Sequence, residues 1–243
     1  MPHRPLKPQK GVFITGTDTN VGKTVVTAAL GMALQQTGGT VGIMKPVETG
    51  ATPDETTSDG HRFRGLFAPY RNVDVHRLYC FPPPVAPLEA ARLSQQSIAV
   101  EAILDAYRTF AVHHDYMLVE GVGGILVPLT QTQDVLNLIE LLGLPCLIVS
   151  RTSLGAINHT RLTLMGLQQA GLPIAGILLN HTDTTREEQQ ASTATLIREL
   201  STVPVWGPLP FQPHLHSRWE DGITTLASHS AIREVTRMMR ESD

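Results

Sequence analysis

Residues 11–24, GVFITGTDTNVGKT, contain the residues of the chain that are best suited to phosphate chemistry. Val12-Phe13-Ile14 predicts a short β-strand, and the run 25–34 predicts a helix. Gly22-Lys23-Thr24 therefore lies where a strand leads through a loop into a helix. In that context the loop N–H groups and the helix dipole bind phosphate, the lysine contacts the β- and γ-phosphates, and the threonine hydroxyl is a ligand for Mg²⁺. The stretch predicts a nucleotide-binding P-loop.

The glycine spacing departs from the common P-loop pattern. G-x-x-x-x-G-K-[ST] would place a glycine at Thr17, whereas the glycine here is Gly16, one residue earlier. A chance Gly-Lys-Thr in an ordinary loop is the alternative interpretation. Because a strand-like run precedes the loop and a helix-like run follows it, we favour nucleotide binding.

A lysine and two carboxylates are candidates for chemistry beside this loop. Lys45 ends the apolar run 41–44, and Pro46 fixes the backbone just after it, which is compatible with either a ligand-facing or a solvated lysine. Glu120 ends the strand-like run YMLVE before a Gly-rich turn. A carboxylate there either binds Mg²⁺, directly or through water, or is solvated. Asp59 is a second candidate for Mg²⁺, although loop aspartates usually cap helices or face water.

Other polar groups have less specific interpretations. Asn180 follows the strand-like run 174–179, where its amide would either bind an adenine edge or cap a turn. The histidine pairs at 113–114 and at 214 and 216 have no partners at zinc-type spacing, so we expect them at the surface. A loose basic group is expected to be a solvated face, with contact to a carboxylate or phosphate as the alternative; its members are Arg62, Arg64, Arg71 and Arg77.

The elements that must position these residues alternate between apolar strand-like runs and helical patterns. This alternation predicts βαβ units and a mainly parallel sheet, in which ligands bind beyond the carboxyl ends of the strands. We predict one doubly wound α/β domain of the P-loop NTPase type over residues 1–243, with residues 1–10 disordered and 51–94 an irregular substrate-side segment. The later predicted helices cover 97–113, 135–142 with Asp134 as N-cap, a stretch ending at 170 after a turn at 155–158, 186–200 and 231–240.

The composition limits the classes of function. With 42% hydrophobic and 17% charged residues, a chain of 243 residues can form an ordinary globular core. The net charge of −3 gives no reason to expect nucleic acid or an anionic membrane as a partner. Two distant cysteines predict no disulfide framework and hence a cytoplasmic protein. No run approaches the length of a membrane span, so we expect a soluble protein.

Taken together, these motifs resemble the dethiobiotin synthetase family. TGTDTNVGKT is similar to that family's P-loop, including the early glycine, and KPVETG at 45–50 is similar to its KPxx[ST]G segment. Ser58-Asp59, VEGVGG at 119–124, LGAINHT at 154–160 and Asn180 follow in the family's order. The resemblance covers residues 11–211.

The resemblance implies an ATP- and Mg²⁺-dependent enzyme of biotin biosynthesis. Its substrate 7,8-diaminononanoate would take up CO₂ as a carbamate, and ATP would phosphorylate the carbamate to a carbamic–phosphoric anhydride. The second amine would then close the ureido ring as phosphate leaves. The resemblance also implies a homodimer in which the second subunit completes the substrate site.

The same resemblance implies roles for individual residues. Lys23, Lys45 and Thr19 would be catalytic, and Thr24, Asp59 and Glu120 would bind Mg²⁺. Nucleotide binding would involve Thr17, Asp18, Thr19, Asn20, Val21, Gly22, Lys23, Thr24, Val25, Asn180, Gly207, Pro208, Leu209 and Pro210. Substrate binding would involve Thr19, Lys45, Thr49, Gly123, Leu154, Gly155 and Asn158.

Departures from the family pattern affect the substrate side more than ATP binding. Asn20 stands where members often have Glu, and Ala86-Pro87-Leu88 stands where they usually have Ser-Pro-His or a similar segment. Two other families are alternatives. A ligase resembling cobyrinate diamide synthetase would be expected to carry a glutaminase domain, for which the chain has no room. A ParA/MinD-like switch ATPase would carry a lysine five residues before Lys23, where this chain has Asp18.

Overall fold

A computed structural model describes residues 10–52, 55–183, 187–215 and 217–241. Within these residues the strands are β1 (Lys10–Gly16), β2 (Val41–Thr49), β3 (Val73–Phe81), β4 (Tyr116–Glu120), β5 (Cys146–Arg151), β6 (Ile174–Asn180) and β7 (Val205–Leu209). They form a seven-stranded sheet in the order β3-β2-β4-β1-β5-β6-β7. Every neighbouring pair is parallel, which confirms the predicted sheet type.

Helices connect these strands and cover both faces of the sheet. They are α1 (Lys23–Gln35), α2 (Asp59–Phe67), α3 (Pro87–Leu93), α4 (Val100–Ala111), α5 (Val135–Leu142), α6 (Ala156–Gln169), α7 (Glu187–Leu200), α8 (Trp219–Ala227) and α9 (Ser230–Glu241). None of the described helices is long and apolar enough to span a membrane.

The core divides between the two faces of the sheet. Central strand β1 alternates between them, with Val12 and Ile14 in one apolar cluster and Phe13 in the other. The first cluster packs α1, α8 and α9 against the sheet, and the second packs α4, α5, α6 and α7. Burial on both faces explains why these parallel strands are almost continuously apolar in sequence.

Several elements confirm the sequence predictions. Helix α5 has the predicted bounds, and Asp134 caps it: its carboxylate accepts from Asn137 N, while the Asn137 side chain accepts from Asp134 N. Strand β2 continues past Lys45 to Thr49, further than the apolar run indicated. Lys10 begins β1 and is not disordered; residues 1–9 lie outside the described residues.

The segment 51–94 is the main correction to the predicted fold. Its described part contains α2, edge strand β3 and α3, and β3 pairs in parallel with β2 over most of its length. Strand β3 carries charged residues among its apolar ones. Side chains on an edge strand are only partly covered, so charged residues are tolerated there. Helix α8 was also missed. These additions place two more elements, α2 and α8, beside the P-loop.

Candidate active site

The loop between β1 and α1 has the geometry of a phosphate cradle. Gly22 starts the helix in the left-handed region at φ 98°, a conformation that glycine adopts without strain. A Cβ at Gly22 would lie 2.1 Å from Asn180 Nδ2, so the backbone and Asn180 are in close contact. Asn180 Nδ2 donates to the carbonyl of Val21 at 3.0 Å. The end of β6 therefore fixes the loop at which α1 begins.

Lys23 points back over this loop. Its side chain is buried, and its Nζ donates to the carbonyl of Asp18 at 2.9 Å. Burial, and next the charge of Lys45, lower the pKa of Lys23 to about 8. An anion bound at the loop would be a stronger partner than a carbonyl and would favour the charged form of this lysine.

Lys45 lies at the centre of a buried ionic network. Its Nζ is 2.6 Å from Glu120 Oε1 and 2.9 Å from Asp59 Oδ2, and only 3% of Lys45 is exposed. The sheet register explains the first contact, because Met44 and Val119 are paired residues of β2 and β4, and Lys45 and Glu120 follow them. Burial lowers the pKa of Lys45, but the two carboxylates outweigh it and hold the pKa above its usual value.

The two carboxylates respond to this environment in opposite directions. Burial raises the pKa of the completely buried Glu120, and the Lys45 ammonium opposes that rise. Burial also acts on Asp59, but Lys45 outweighs it and lowers the pKa of that carboxyl. Thr24 Oγ1 donates to Glu120 Oε1 at 2.9 Å, which links the network to the first turn of α1. A cation site and the phosphate cradle therefore adjoin.

A second buried pair, missed in the sequence, holds α2 in place. Glu48 accepts from the backbone N–H groups of Asp59 and Gly60, and Arg77 Nη1 donates to Glu48 Oε2 at 2.9 Å. Ser58 caps α2 by accepting from His61 N. Glu48 thus positions Asp59 towards Lys45. Arg77 is not part of a solvated face, contrary to the default expectation, and only the pairing of β2 with β3 reveals its partner.

The chemistry of the donor set fits Mg²⁺ held jointly with a nucleotide. Glu120 Oε2 is buried and has no hydrogen-bond partner, which is costly for a carboxylate oxygen without a cation. The Thr24 hydroxyl and the Asp59 carboxylate complete a set of oxygen donors. No group of three or more His, Cys, Asp or Glu side chains in the described residues could hold a metal ion. A Mg²⁺ ion bound by these oxygens would take its remaining ligands from phosphates and water.

One cavity of about 640 Å³ joins these groups. Its lining includes most of the predicted site: Thr19, Asn20, Gly22, Lys23, Thr24, Val25, Lys45, Thr49, Asp59, Glu120, Gly123, Asn180 and Pro210. Other lining residues were not predicted as site residues, among them Glu48, Arg62, His181, Phe211 and Trp219. Trp219 and Phe211 belong to a C-terminal stretch that carries no recognisable motif in the sequence.

The remaining predicted residues do not line the cavity. Thr17, Asp18, Val21, Gly207, Pro208 and Leu209 lie outside its lining, although carbonyls of Asp18 and Val21 hold Lys23 and Asn180. Leu154, Gly155 and Asn158 are exposed and also lie outside. Asn158 lies inside α6 and not in a turn. The chain alone does not bring these three residues to the P-loop cavity.

The histidine expectation needs one correction. His114 is buried and lies 3.0 Å from Asp74 Oδ2 and 2.9 Å from the carbonyl of Phe110. It bridges α4 and β3 and lies outside the cavity lining. His113 and His214 are exposed, as expected, and His216 lies outside the described residues.

Comparison with known proteins places this site in a family. A family model described as an AAA domain matches residues 10–218. The ATP-dependent dethiobiotin synthetase BioD of Anaeromyxobacter dehalogenans (strain 2CP-1 / ATCC BAA-258) is 38% identical over 86% of this chain and 93% of its own length. The enzyme of the same name from Bacillus subtilis (strain 168) is 35% identical over 83% and 87%. The chain belongs to the dethiobiotin synthetase family.

Solved structures share the fold of this dethiobiotin synthetase family member. The MinD chain of a MinC:MinD cell division complex from Aquifex aeolicus aligns with a TM-score of 0.62 and 15% identity, covering 96% of this chain and 97% of that one. A ParA family ATPase from Chlorobium tepidum aligns with a TM-score of 0.60 and 17% identity, covering 97% and 99%. At these identities the likeness concerns the fold alone.

Proposed function

We propose that the protein is an ATP-dependent cyclo-ligase that converts 7,8-diaminononanoate and CO₂ to dethiobiotin, with release of ADP and phosphate. The observation that carries this proposal is the buried contact of Lys45 with Glu120 and Asp59 directly beside Lys23. A nucleotide cradle and a second buried cation in one cavity suit phosphoryl transfer to an anionic acceptor. The resemblance to the dethiobiotin synthetase family implies a carbamate as that acceptor.

The proposed reaction has three steps. One amine of the substrate attacks CO₂ and loses a proton, which gives a carbamate. A carbamate oxygen takes the γ-phosphoryl group of ATP, and ADP departs. The second amine attacks the carbonyl carbon of the resulting anhydride, so that phosphate leaves, a proton is released and the five-membered ureido ring closes.

Lys23 and Lys45 stabilise the negative charge that develops in this sequence. Lys23 contacts the transferred phosphoryl group, and Lys45 neutralises charge on the carbamate and on the departing phosphate. Both lysines are buried, so their effect on the transition state is stronger than in water. Thr19 and Thr49, which line the same cavity, hold the diamine and the carbamate.

The residues that would hold Mg²⁺ are Thr24, Asp59 and Glu120. The unpartnered Glu120 Oε2 supports a cation here, because Lys45 and Thr24 occupy only the other oxygen of this carboxylate. When bound with ATP, Mg²⁺ would neutralise phosphate charge. These residues also orient Lys45, whose position depends on the same two carboxylates.

Two groups of residues bind the nucleotide. Backbone N–H groups of residues 17–25 surround the phosphates at the start of α1. Asn180 binds an adenine edge, and the backbone of 207–210 lies alongside the base. Two observations support this role: Asn180 lines the cavity, and its side chain is held in place by a hydrogen bond to the carbonyl of Val21.

A second copy of the chain completes the substrate site. Leu154 is fully exposed, at 101% of its reference area, and Gly155 and Asn158 are exposed beside it at the start of α6. Together with the cavity residue Gly123, they contact the substrate from the two subunits of a homodimer. The N–H groups of a helix start suit the carboxylate of 7,8-diaminononanoate.

The test is phosphate release from Mg-ATP and bicarbonate with and without 7,8-diaminononanoate, with dethiobiotin measured by mass in the same samples. We expect diamine-dependent phosphate release that equals the dethiobiotin formed. ATP turnover that is indifferent to the diamine, with no dethiobiotin, would refute the proposed reaction and direct attention to another acceptor or a protein partner.

A further inference from the structure

Arg62 and Trp219 form a contact across the mouth of the cavity. The guanidinium carbon of Arg62 lies 5.2 Å from the centre of the Trp219 ring, within range of a cation–π interaction. Both residues line the P-loop cavity, and they come from α2 and α8, the two elements that the sequence analysis missed beside the P-loop. An aromatic face therefore holds a guanidinium at a fixed place in the site.

The charge of Arg62 is not neutralised within the described residues. No carboxylate there lies within 4.0 Å of its side-chain nitrogens, whereas Lys45 contacts two carboxylates and Arg77 contacts Glu48. Arg62 is also only partly exposed. A guanidinium that is half-buried and has no anionic partner is available to a ligand anion, for which its fork of N–H donors is suited.

The position of Arg62 identifies the part of the ligand it can contact. Arg62 follows Asp59 by three residues, so both project from the same face of α2. Asp59 contacts Lys45 at the phosphate end of the cavity. Helix α8, which begins at Trp219, packs against α1, the helix whose first turn forms the phosphate cradle. Arg62 therefore lies in the same cavity lining as Lys23, on the helix that also carries Asp59.

Trp219 adds an independent sign of a missing ligand. Its Nε1 is buried and has no hydrogen-bond partner, although the residue lines the cavity. Buried indole N–H groups usually have an acceptor. A nucleotide bound at the P-loop would bring phosphate or ribose oxygens to this side of the cavity.

We propose that Arg62, positioned by Trp219, is a nucleotide-binding residue that donates hydrogen bonds to the phosphates of the bound nucleotide. The inference rests on the proposed function only in taking the cavity to be an ATP site. Arg62 thereby supplies a second cation for the nucleotide in the cavity that Lys23 lines. The ring of Trp219 positions Arg62, and its unpartnered indole N–H is a further donor to the same ligand.

Isothermal titration of the full chain with adenosine, AMP, ADP and Mg-ATP tests Arg62. We expect Arg62→Gln to weaken the affinity for ADP and Mg-ATP by about tenfold, the effect of one charge-assisted hydrogen bond. The affinity for adenosine should not change. Arg64→Gln is the matched control, because Arg64 is exposed on the same helix and lies outside the cavity lining. Unchanged ADP affinity in Arg62→Gln, or an equal loss for adenosine, would overturn the proposal.

Two further variants test the positioning role of Trp219. Trp219→Leu should raise the KM for ATP with little change in kcat, and combining it with Arg62→Gln should add little, since one contact has already been lost. Trp219→Phe should restore the part of the affinity that depends on Arg62, because an aromatic face remains, but not the part that depends on the indole N–H. Full additivity of the two losses would contradict the coupling and remove Trp219 from the inference.

The outcomes separate this inference from the proposed function. Wild-type protein that forms dethiobiotin, with ADP affinity unaffected in Arg62→Gln, would refute the inference and leave the function in place. Wild-type protein that binds ADP through Arg62 but forms no dethiobiotin would do the reverse. Thermal unfolding of each variant identifies any loss that comes from misfolding.

Discussion

The starts of α1 and α6 use the same local device in different surroundings. Each helix follows one of the neighbouring parallel strands β1 and β5, and each begins with a left-handed glycine, Gly22 or Gly155, without a side-chain cap. Gly22 is covered by Asn180 and followed by buried Lys23. Gly155 is exposed, and a Cβ there would find no atom nearer than 3.8 Å. One helix start is enclosed by this chain, and the other is exposed to solvent.

The comparison shows that two helix starts with nearly the same backbone can differ in whether side chains of the same chain surround them. Both helix starts present N–H groups suited to an anion. Around α1, Lys45 from the middle of β2 and Glu120 and Asn180 from the ends of β4 and β6 line the cavity. At the start of α6 no charged or amide side chain of the described residues takes the corresponding place, and the neighbouring Leu154 is exposed. This contrast is what a shared site in a homodimer requires of one subunit.

Lys45→Gln is the strongest test of the cavity at the start of α1. We expect kcat for dethiobiotin formation to fall by on the order of 10³-fold, because a buried charge beside the transferred group is lost, while ADP affinity stays near the wild-type value. Mass-detected product formation and calorimetry with ADP measure the two effects. Turnover equal to wild type would remove Lys45 from the mechanism.

The same substitution bears on stability, which must be measured with it. Removing Lys45 leaves Glu120 and Asp59 without their cation, a change that costs about 3–5 kcal/mol when a buried pair is broken. Urea unfolding should show this loss for Lys45→Gln. Lys45→Gln with Glu120→Gln should recover part of it, because the buried carboxylate is then neutral. No recovery in the double variant would contradict the ion pair as the cause.

Asn158→Asp tests the exposed start of α6. A carboxylate near the start of α6 favours the helix but repels the carboxylate of the substrate, so we expect kcat/KM for the diamine to fall on the order of 10²-fold with the fold preserved. ADP affinity should not change, since Asn158 lies outside the cavity.

Mixing subunits decides whether the two sides belong to one shared site. Lys45→Gln and Asn158→Asp chains, assayed at limiting diamine where each alone has little activity, should recover about a quarter of wild-type activity after exchange. Random pairing makes half of the dimers mixed, and each mixed dimer has one intact site. No recovery despite verified exchange would place both residues in a site formed by one chain.

The two glycines give a smaller and more direct comparison. Gly22→Ala should lower the free energy of unfolding by more than Gly155→Ala, which incurs only the strain of about 1–2 kcal/mol for a left-handed alanine. At Gly22 the new Cβ would also displace Asn180, whose Nδ2 lies 2.1 Å from its position, so ADP binding should weaken as well. If both variants lose the same free energy of unfolding in urea, displacing Asn180 does not destabilise the protein.

The smallest effect concerns the pH dependence of Lys23. Since its pKa is lowered to about 8, the free protein loses this charge as the pH rises from 7 to 9. Bound phosphates favour the protonated lysine, so ADP binding should take up a proton and weaken by about tenfold over that range. Calorimetry in buffers of different ionisation enthalpy measures the uptake. Binding at pH 8.5 without proton uptake would contradict the lowered pKa.

Local sequence was sufficient for much of this protein. The strand, loop and Gly-Lys-Thr of the P-loop, the capped helix α5 and the alternation that indicates a parallel sheet all depend on residues close together in the chain. Lys45, Glu120 and Asn180 could be nominated because each follows or ends an apolar run in the sequence. Parallel strands bring such ends to one edge of the sheet, whatever their order.

Only the tertiary structure decided which of these residues meet. Strand order and register place Lys45 next to Glu120, and the pairing of β2 with β3 joins Glu48 to Arg77. The contact of Arg62 with Trp219 joins residues more than 150 positions apart in the chain. Sequence spacing specifies local conformation, because neighbouring residues share one backbone. Contacts between distant elements depend on how those elements pack, which no short stretch of sequence contains.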